Sequence, residues 1–262
     1  MRTLRLNDAD RVRILGVEFD NVSLDEAVRL ITDHVLTGTE LAAVFTPNAD
    51  IADRCRSDKT GELRALYNSA ALSVPDGIGI VKASRLLETP IRERVAGIEL
   101  AERLLSSAAK TDIPVYFLGG GDGVANAAAE NMTRKLPKLV IAGTHHGFFE
   151  KHGSESDDVV SDIAKSGAKL VFVCFGAPAQ EKWISENASA LADAGILCAV
   201  GLGGSFDVWS GKVKRAPRFV RSLGLEWLYR SLSSPKRIGR IISVLRFSVA
   251  VFAESISSRK RR

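Results

Sequence analysis

Asp76 has the surroundings a reacting carboxylate needs. It sits in Leu72-Ser73-Val74-Pro75-Asp76-Gly77-Ile78-Gly79, where a short apolar run stops at a proline and two glycines follow. Val74 precedes proline and is held extended, so the run reads as a strand with Asp76 just past its C-terminal end. Open α/β sheets gather their ligands at such strand ends. Gly77 and Gly79 let a ligand approach the backbone. A lone carboxylate here suits a general base. The same spacing also suits a helix cap, and the local residues do not choose between the two.

Four other stretches carry chemistry. Thr46-Pro47-Asn48-Ala49-Asp50 is a polar strand-end loop. Gly119-Gly120-Gly121-Asp122-Gly123 invites a dinucleotide reading, but Val124 stands where the third fingerprint glycine belongs. The acidic residue due about 20 positions on is replaced by Gly143-Thr144-His145-His146. A strand, a glycine loop and a helix still cradle one diphosphate at the helix N-terminus. Phe175-Gly176-Ala177-Pro178-Ala179-Gln180-Glu181 presents Gln180 and Glu181 at a helix start, and a glutamine can donate to and accept from sugar hydroxyls at once. In Gly203-Gly204-Ser205-Phe206-Asp207, Phe206 could stack on a base and Asp207 accept from a ribose or uracil. The plain alternatives are a first helical turn for Gln180, a core ring for Phe206 and a cap for Asp207. His145 and His146 have no partner at metal-ligand spacing, and no Asp-x-Asp stands at a strand end. No metal is expected, so leaving-group charge falls to helix N-termini and Arg or Lys.

The elements that must position these residues are strands alternating with helices. Strands are expected over 14–19, 41–46, 72–75, 115–118, 139–142, 170–175 and 196–201, with amphipathic helices between, the first opened by the capping box Ser23-Leu24-Asp25-Glu26. That alternation predicts an α/β fold: a Rossmann-like, mostly parallel sheet with helices on both faces. Every loop singled out above follows a strand, so all are expected on one sheet edge. The three cysteines form no CxxC pair and read as reduced, buried residues. The start of the chain lacks the apolar segment of a secretory signal.

Charge divides the chain. Residues 208–262 hold 14 Lys and Arg against 2 acidic residues, a local +12, whereas residues 1–207 carry −7. An anionic partner is expected for the C-terminal quarter. In its last helix Ile238, Ile241, Ile242, Leu245, Val249, Phe252 and Ile256 share one stripe, with Phe247 and Val251 on the far side and arginines flanking. This predicts a helix lying in a membrane interface, with packing on its own domain or on a second copy as the alternative. Phe219, Trp227, Tyr229, Phe247 and Phe252 do not interleave with the arginines as a nucleic-acid stacking platform would, so no nucleic-acid partner is expected. Residues 1–210 are expected as the catalytic domain and 211–262 as a basic helical appendage.

Taken in order and spacing, these stretches resemble the WecG/TagA/CpsF family of bacterial glycosyltransferases. The match runs through Thr46-Pro47-Asn48, Pro75-Asp76-Gly77-Ile78-Gly79, Glu93-Arg94-Val95-Ala96-Gly97, the 175–181 and 203–207 loops, Gly211, Arg215-Ala216-Pro217, Leu225-Glu226-Trp227-Leu228-Tyr229-Arg230 and Pro235-Lys236-Arg237. Ala179 replaces the family's usual lysine before the Gln-Glu pair. The resemblance implies inverting, metal-independent transfer of a sugar from a UDP-sugar to a polyprenyl-diphosphate-linked sugar, with no cofactor, at the inner face of the plasma membrane. N-acetylmannosamine is the favoured sugar; glucose and N-acetylmannosaminuronic acid are the alternatives. Asp76 is then similar to the catalytic base. Thr46, Asn48, Arg94, Gln180 and Glu181 resemble substrate-binding residues. The loops at Gly119, Gly120, Gly121, at Phe175, Gly176 and at Gly203, Gly204, Phe206, Asp207 would hold UDP. Arg215, Arg218, Arg221, Arg230, Arg237 and Arg240 are candidates for gripping diphosphates or anionic lipid.

Overall fold

The computed structural model describes residues 4, 11–217, 219–220, 226–232 and 239–259, with the side chains of all but 230–232 and 259. Residues 11–20 form an antiparallel hairpin, β1 (Arg11–Ile14) and β2 (Val17–Asp20), where the sequence predicts one strand. Leu15 and Gly16 both take positive φ, 49° and 86°, the backbone of a tight primed turn. A leucine is an unusual first residue for that turn, which hides it in the sequence.

Six strands form the central sheet: β3 (Ala42–Phe45), β4 (Leu72–Ser73), β5 (Val115–Gly119), β6 (Ile141–His145), β7 (Leu170–Cys174) and β8 (Cys198–Gly201). Their order is β4-β3-β8-β7-β5-β6, and every neighbouring pair is parallel. The helices between them are α1 (Leu24–Thr37), α2 (Ala49–Ser57), α3 (Glu62–Asn68), α4 (Ile78–Leu86), α5 (Gly97–Thr111), α6 (Val124–Lys135), α7 (Ser154–Ser166), α8 (Ala179–Glu186) and α9 (Ala188–Asp193). After β8 come α10 (Ser205–Trp209), α11 (Glu226–Leu232) and α12 (Gly239–Arg259). The capping box opens α1 as its residues dictate: Ser23 Oγ accepts from the Glu26 amide and Glu26 Oε2 accepts from the Ser23 amide.

Alternate strand residues feed two cores. Val44, Phe117, Phe172 and Val200 pack with α1, α5, α6 and α10. Ala43, Phe45, Leu118, Val171 and Val173 pack with α2, α3, α4, α7, α8 and α9 on the other face. This is why Leu170-Val171-Phe172-Val173-Cys174 is buried at every position. The connection after β5 goes to β6 on one side, while that after β7 goes to β8 on the other. The two depart in opposite directions from neighbouring strands, the arrangement at which open α/β sheets bind their ligands.

α12 lies against α2 and α4 and adds Phe247 and Val251 to the second core. Its buried stripe is Ser243, Phe247, Val251 and Ser255, one residue per turn. The larger apolar stripe faces outward: Ile242, Leu245, Val249, Phe252 and Ile256 are 42–70% exposed. Ile238 lies outside the described residues. Among the described residues α12 is the one helix long and apolar enough to cross a membrane by length and composition. Arg246, near its middle, bonds Asp53 of α2 at 2.8 Å, and Asp53 is fully buried.

Candidate active site

The tips of β3, β4 and β8 enclose a cavity of about 170 Å³ lined by Thr46, Asn48, Asp76, Gly77, Gly79, Arg94, Gly97, Leu202 and Ser205. Glu226 and Trp227 of α11 and Arg240 and Val244 of α12 close its outer wall. The last described stretch of chain therefore completes a site whose floor is the sheet edge. Four of the expected catalytic and substrate-binding residues, Asp76, Thr46, Asn48 and Arg94, meet here.

Asp76 is half-buried on the loop after β4, with its amide donating to the Pro47 carbonyl at 3.1 Å. The N-cap of α4 is Gly77, with φ of 106°. Asp76 is thus one residue before the cap position. Gly77 is required: the turn into α4 uses a φ that side chains rarely adopt. Asn48 caps α2, its Oδ1 accepting from the Ile51 amide at 3.2 Å. Thr46 donates its hydroxyl to the Gly201 carbonyl at 3.1 Å, tying the tips of β3 and β8.

Arg94 reaches the cavity while donating to Glu99 Oε2 at 3.0 Å. The other Glu99 oxygen accepts from Arg215 at 2.9 Å, and Arg215 also lies 3.6 Å from both Glu102 and Glu226. Arg215, expected to grip a diphosphate or anionic lipid, stands here among three carboxylates and joins α5 to α11. Arg240 lines the cavity and lies 3.9 Å from Asp50. Arg218, Arg221 and Arg237 fall outside the described residues, as does the side chain of Arg230.

Beyond Leu202 and Ser205 stands the tip of β5, whose loop does not line the cavity. Gly119 and Gly120 take φ of 130° and 73°, and a Cβ on Gly119 would sit 2.5 Å from the Cys174 carbonyl oxygen. Only glycine lets this loop fold down onto the tip of β7. The Gly119–Gly121 loop also abuts α10, since a Cβ on Gly120 would lie 3.9 Å from that of Phe206. α6 begins directly after the loop, with Gly123 at its N-cap and no side-chain cap bond.

Three expected ligand contacts are corrected. Phe206 is fully buried, its ring 4.7 Å from that of Phe117 and 5.8 Å from that of Trp209, so it offers no face to a base. Gln180 and Glu181 are each 2% exposed and do not line the cavity. Gln180 Oε1 accepts from the amides of Gly176 and Gly203, and its Nε2 donates to Glu181 Oε1. Phe175 stands edge-on to Phe149 and Trp183, with the Lys151 ammonium 4.4 Å from its ring centre. Burial there pushes the Lys151 ammonium below its ordinary value. Gly204 is the N-cap of α10, and Asp207 is half-buried in its first turn.

Two groups that sequence reasoning passed over stand at the glycine loop. A Cβ on Gly121 would lie 3.5 Å from Lys212 Nζ and 3.7 Å from the Phe148 ring. Phe148 is 76% exposed, the most exposed large apolar side chain described. The strand-end setting of 144–150 was the available signal, but the loop reads as merely polar.

The chain matches the family described as Glycosyl transferase WecG/TagA/CpsF family over residues 12–261. It is also similar to N-acetylglucosaminyldiphosphoundecaprenol N-acetyl-beta-D-mannosaminyltransferases of Staphylococcus aureus strains MW2, NCTC 8325 / PS 47 and COL. Each is 34% identical over 253 residues, covering 96% of this chain and 94% of the relative. A parallel α/β sheet with a polar cavity at its carboxyl edge, matched to that family almost end to end, belongs to the WecG/TagA/CpsF glycosyltransferases.

Proposed function

We propose that this glycosyltransferase moves N-acetylmannosamine from a UDP-sugar to N-acetylglucosaminyl-diphosphoundecaprenol, with inversion and without a metal, in the making of a cell-wall polysaccharide. The observation that carries the reading is the placement of Asp76 in the cavity wall with Thr46, Asn48, Arg94 and Arg240 around it. The acceptor and the sugar come from the activity named for the 34% identical relatives. In the reaction, the acceptor hydroxyl attacks the anomeric carbon as Asp76 takes its proton, and the bond to UDP breaks on the opposite face. One carboxylate suffices for this inversion, unlike the pair of a glycosidase.

UDP is assigned to the surface at the tips of β5 and β7. Phe148 would cover the uracil, replacing the role expected of Phe206. Lys212 and the N-terminus of α6 would meet the diphosphate. The departing charge falls to these groups and to Arg240. The outward stripe of α12 would rest in the headgroup layer of the cytoplasmic leaflet, bringing the cavity to a lipid-linked acceptor.

The test is to incubate the purified protein with UDP-N-acetylmannosamine, UDP-glucose and UDP-N-acetylmannosaminuronic acid, each with an N-acetylglucosaminyl-diphospholipid. UDP release with the first donor and a product of inverted anomeric configuration are expected. Release with another donor alone would replace the sugar, and retained configuration would remove the single-base mechanism.

A further inference from the structure

Glu181, at the start of α8, is buried among groups that give it no positive partner. It is 2% exposed, and its Oε1 accepts from Gln180 Nε2 at 2.9 Å. The hydroxyl of Tyr67 on α3 is its other hydrogen-bonding neighbour, and burial outweighs both contacts in raising the Glu181 carboxyl. The other titratable neighbour is Cys55 of α2, whose thiol burial pushes up to about 12, so it too is uncharged. Arg54 acts on Tyr67 only through space. An ionised carboxylate left in such surroundings is unfavourable; it takes a proton instead.

Gln180 shows what the acid is for. Its Oε1 accepts from two amides at once, Gly176 at 3.2 Å and Gly203 at 2.9 Å. Those glycines have φ of 88° and 59° and lead the loops off the tips of β7 and β8. The amide can present its oxygen to both only if its nitrogen finds an acceptor on the other side, and Glu181 Oε1 is that acceptor. The fit is tight, because a Cβ on Gly201 would fall 2.8 Å from Gln180 Nε2 and 3.2 Å from Glu181 Oε1.

We propose that Glu181 is a positioning residue held as a neutral carboxylic acid, its Oε1 accepting from Gln180 and its other oxygen paired with the Tyr67 hydroxyl. Through Gln180 it fixes the spacing of the two strand-end loops. The catalytic consequence rests on the reading that these loops border the bound UDP-sugar. The protonation state does not. Burial raises the Glu181 carboxyl above the ordinary range. For an acid raised in the folded state, the stability contributed is complete below the ordinary carboxylate range and is lost as pH rises through the folded value.

The experiment compares the wild type with Glu181→Gln and Glu181→Leu, measuring denaturant unfolding between about pH 5 and 8 and UDP release with the N-acetylglucosaminyl-diphospholipid. Gln reproduces the neutral acid, one oxygen accepting and one N–H donating. It is expected to keep kcat within about threefold of wild type, and its stability should not fall with rising pH as the wild type's does. Leu leaves Gln180 Nε2 unpaired and is expected to lower kcat about tenfold or more through misplaced loops. Loss of activity in Glu181→Gln equal to that in Glu181→Leu, or parallel stability curves for wild type and Glu181→Gln, would overturn the proposal. If Glu181→Leu fails to fold, the comparison of wild type with Glu181→Gln decides alone. The unfolding curves need no substrate. A wild type that releases no UDP would refute the transferase reading while leaving the protonation state of Glu181 decided by those curves.

Discussion

An exposed phenylalanine beside a glycine loop keeps apolar surface in water until something covers it. Phe148, beside Gly121 and Lys212, is in that position. A stacked base is worth about 1–3 kcal/mol to a ring, so Phe148→Ala should weaken UDP binding by roughly 5–150-fold with no loss of folding temperature. Isothermal titration with UDP reads this, and unchanged affinity would return the uracil to another surface. Phe206 shows why the sequence misleads here. Two glycines and an aspartate frame it like a ligand loop, yet its ring completes a stack with Phe117 and Trp209 that only the fold assembles. Nothing local separates a ring that meets a base from a ring that meets a core. The position of Asp76 was legible because its constraint is local: a proline fixes the strand end, which places the carboxylate at the sheet edge. Arg215 was not, since its three acidic neighbours come from α5 and α11, as far as 116 positions away.

α12 is a helix with two apolar faces of different size. The smaller face, Phe247 and Val251 between serines, packs on α2 and α4. Asp53, buried and bonded to both Arg56 and Arg246, ties it down. Arg246 is itself half-exposed and Asp53 keeps Arg56 when it is removed, so this tie is worth less than the roughly 3–5 kcal/mol of a fully buried pair. The larger face is unpartnered in the structure. Each of its side chains would gain roughly 1.5–3 kcal/mol on full burial. Nearby arginines add about 1 kcal/mol each at an anionic surface. Leu245→Glu with Phe252→Glu should therefore leave the unfolding temperature within a few degrees of wild type, as the side chains are exposed, and abolish flotation with anionic liposomes. Flotation that survives the pair would move lipid contact elsewhere on the molecule. The 3.6 periodicity gave the stripe from sequence. It could not tell which side faces the domain, because Phe247 and Val251 are as apolar as the residues opposite.

At the scale of the molecule, the alternation of strands and helices was enough to derive a parallel sheet with its working loops on one edge. Strand order was not derivable: β8 sits between β3 and β7, and the opposite departures of the chain after β5 and β7 follow only from that order. The net positive C-terminal quarter closes a cavity that also exposes Asp50, Asp76 and Glu226, so its basic groups serve the site as well as the surface. A mechanism that meets diphosphate charge with Lys212, Arg240 and a helix N-terminus predicts full UDP release in the presence of EDTA. Loss on chelation with recovery on adding Mn²⁺ would show a metal in the reaction. The most direct measurement is turnover and UDP affinity for Asp76→Asn on N-acetylglucosaminyl-diphospholipid. The account predicts UDP affinity close to wild type with turnover lower by about 10²–10⁴-fold; turnover near the wild-type rate would contradict it.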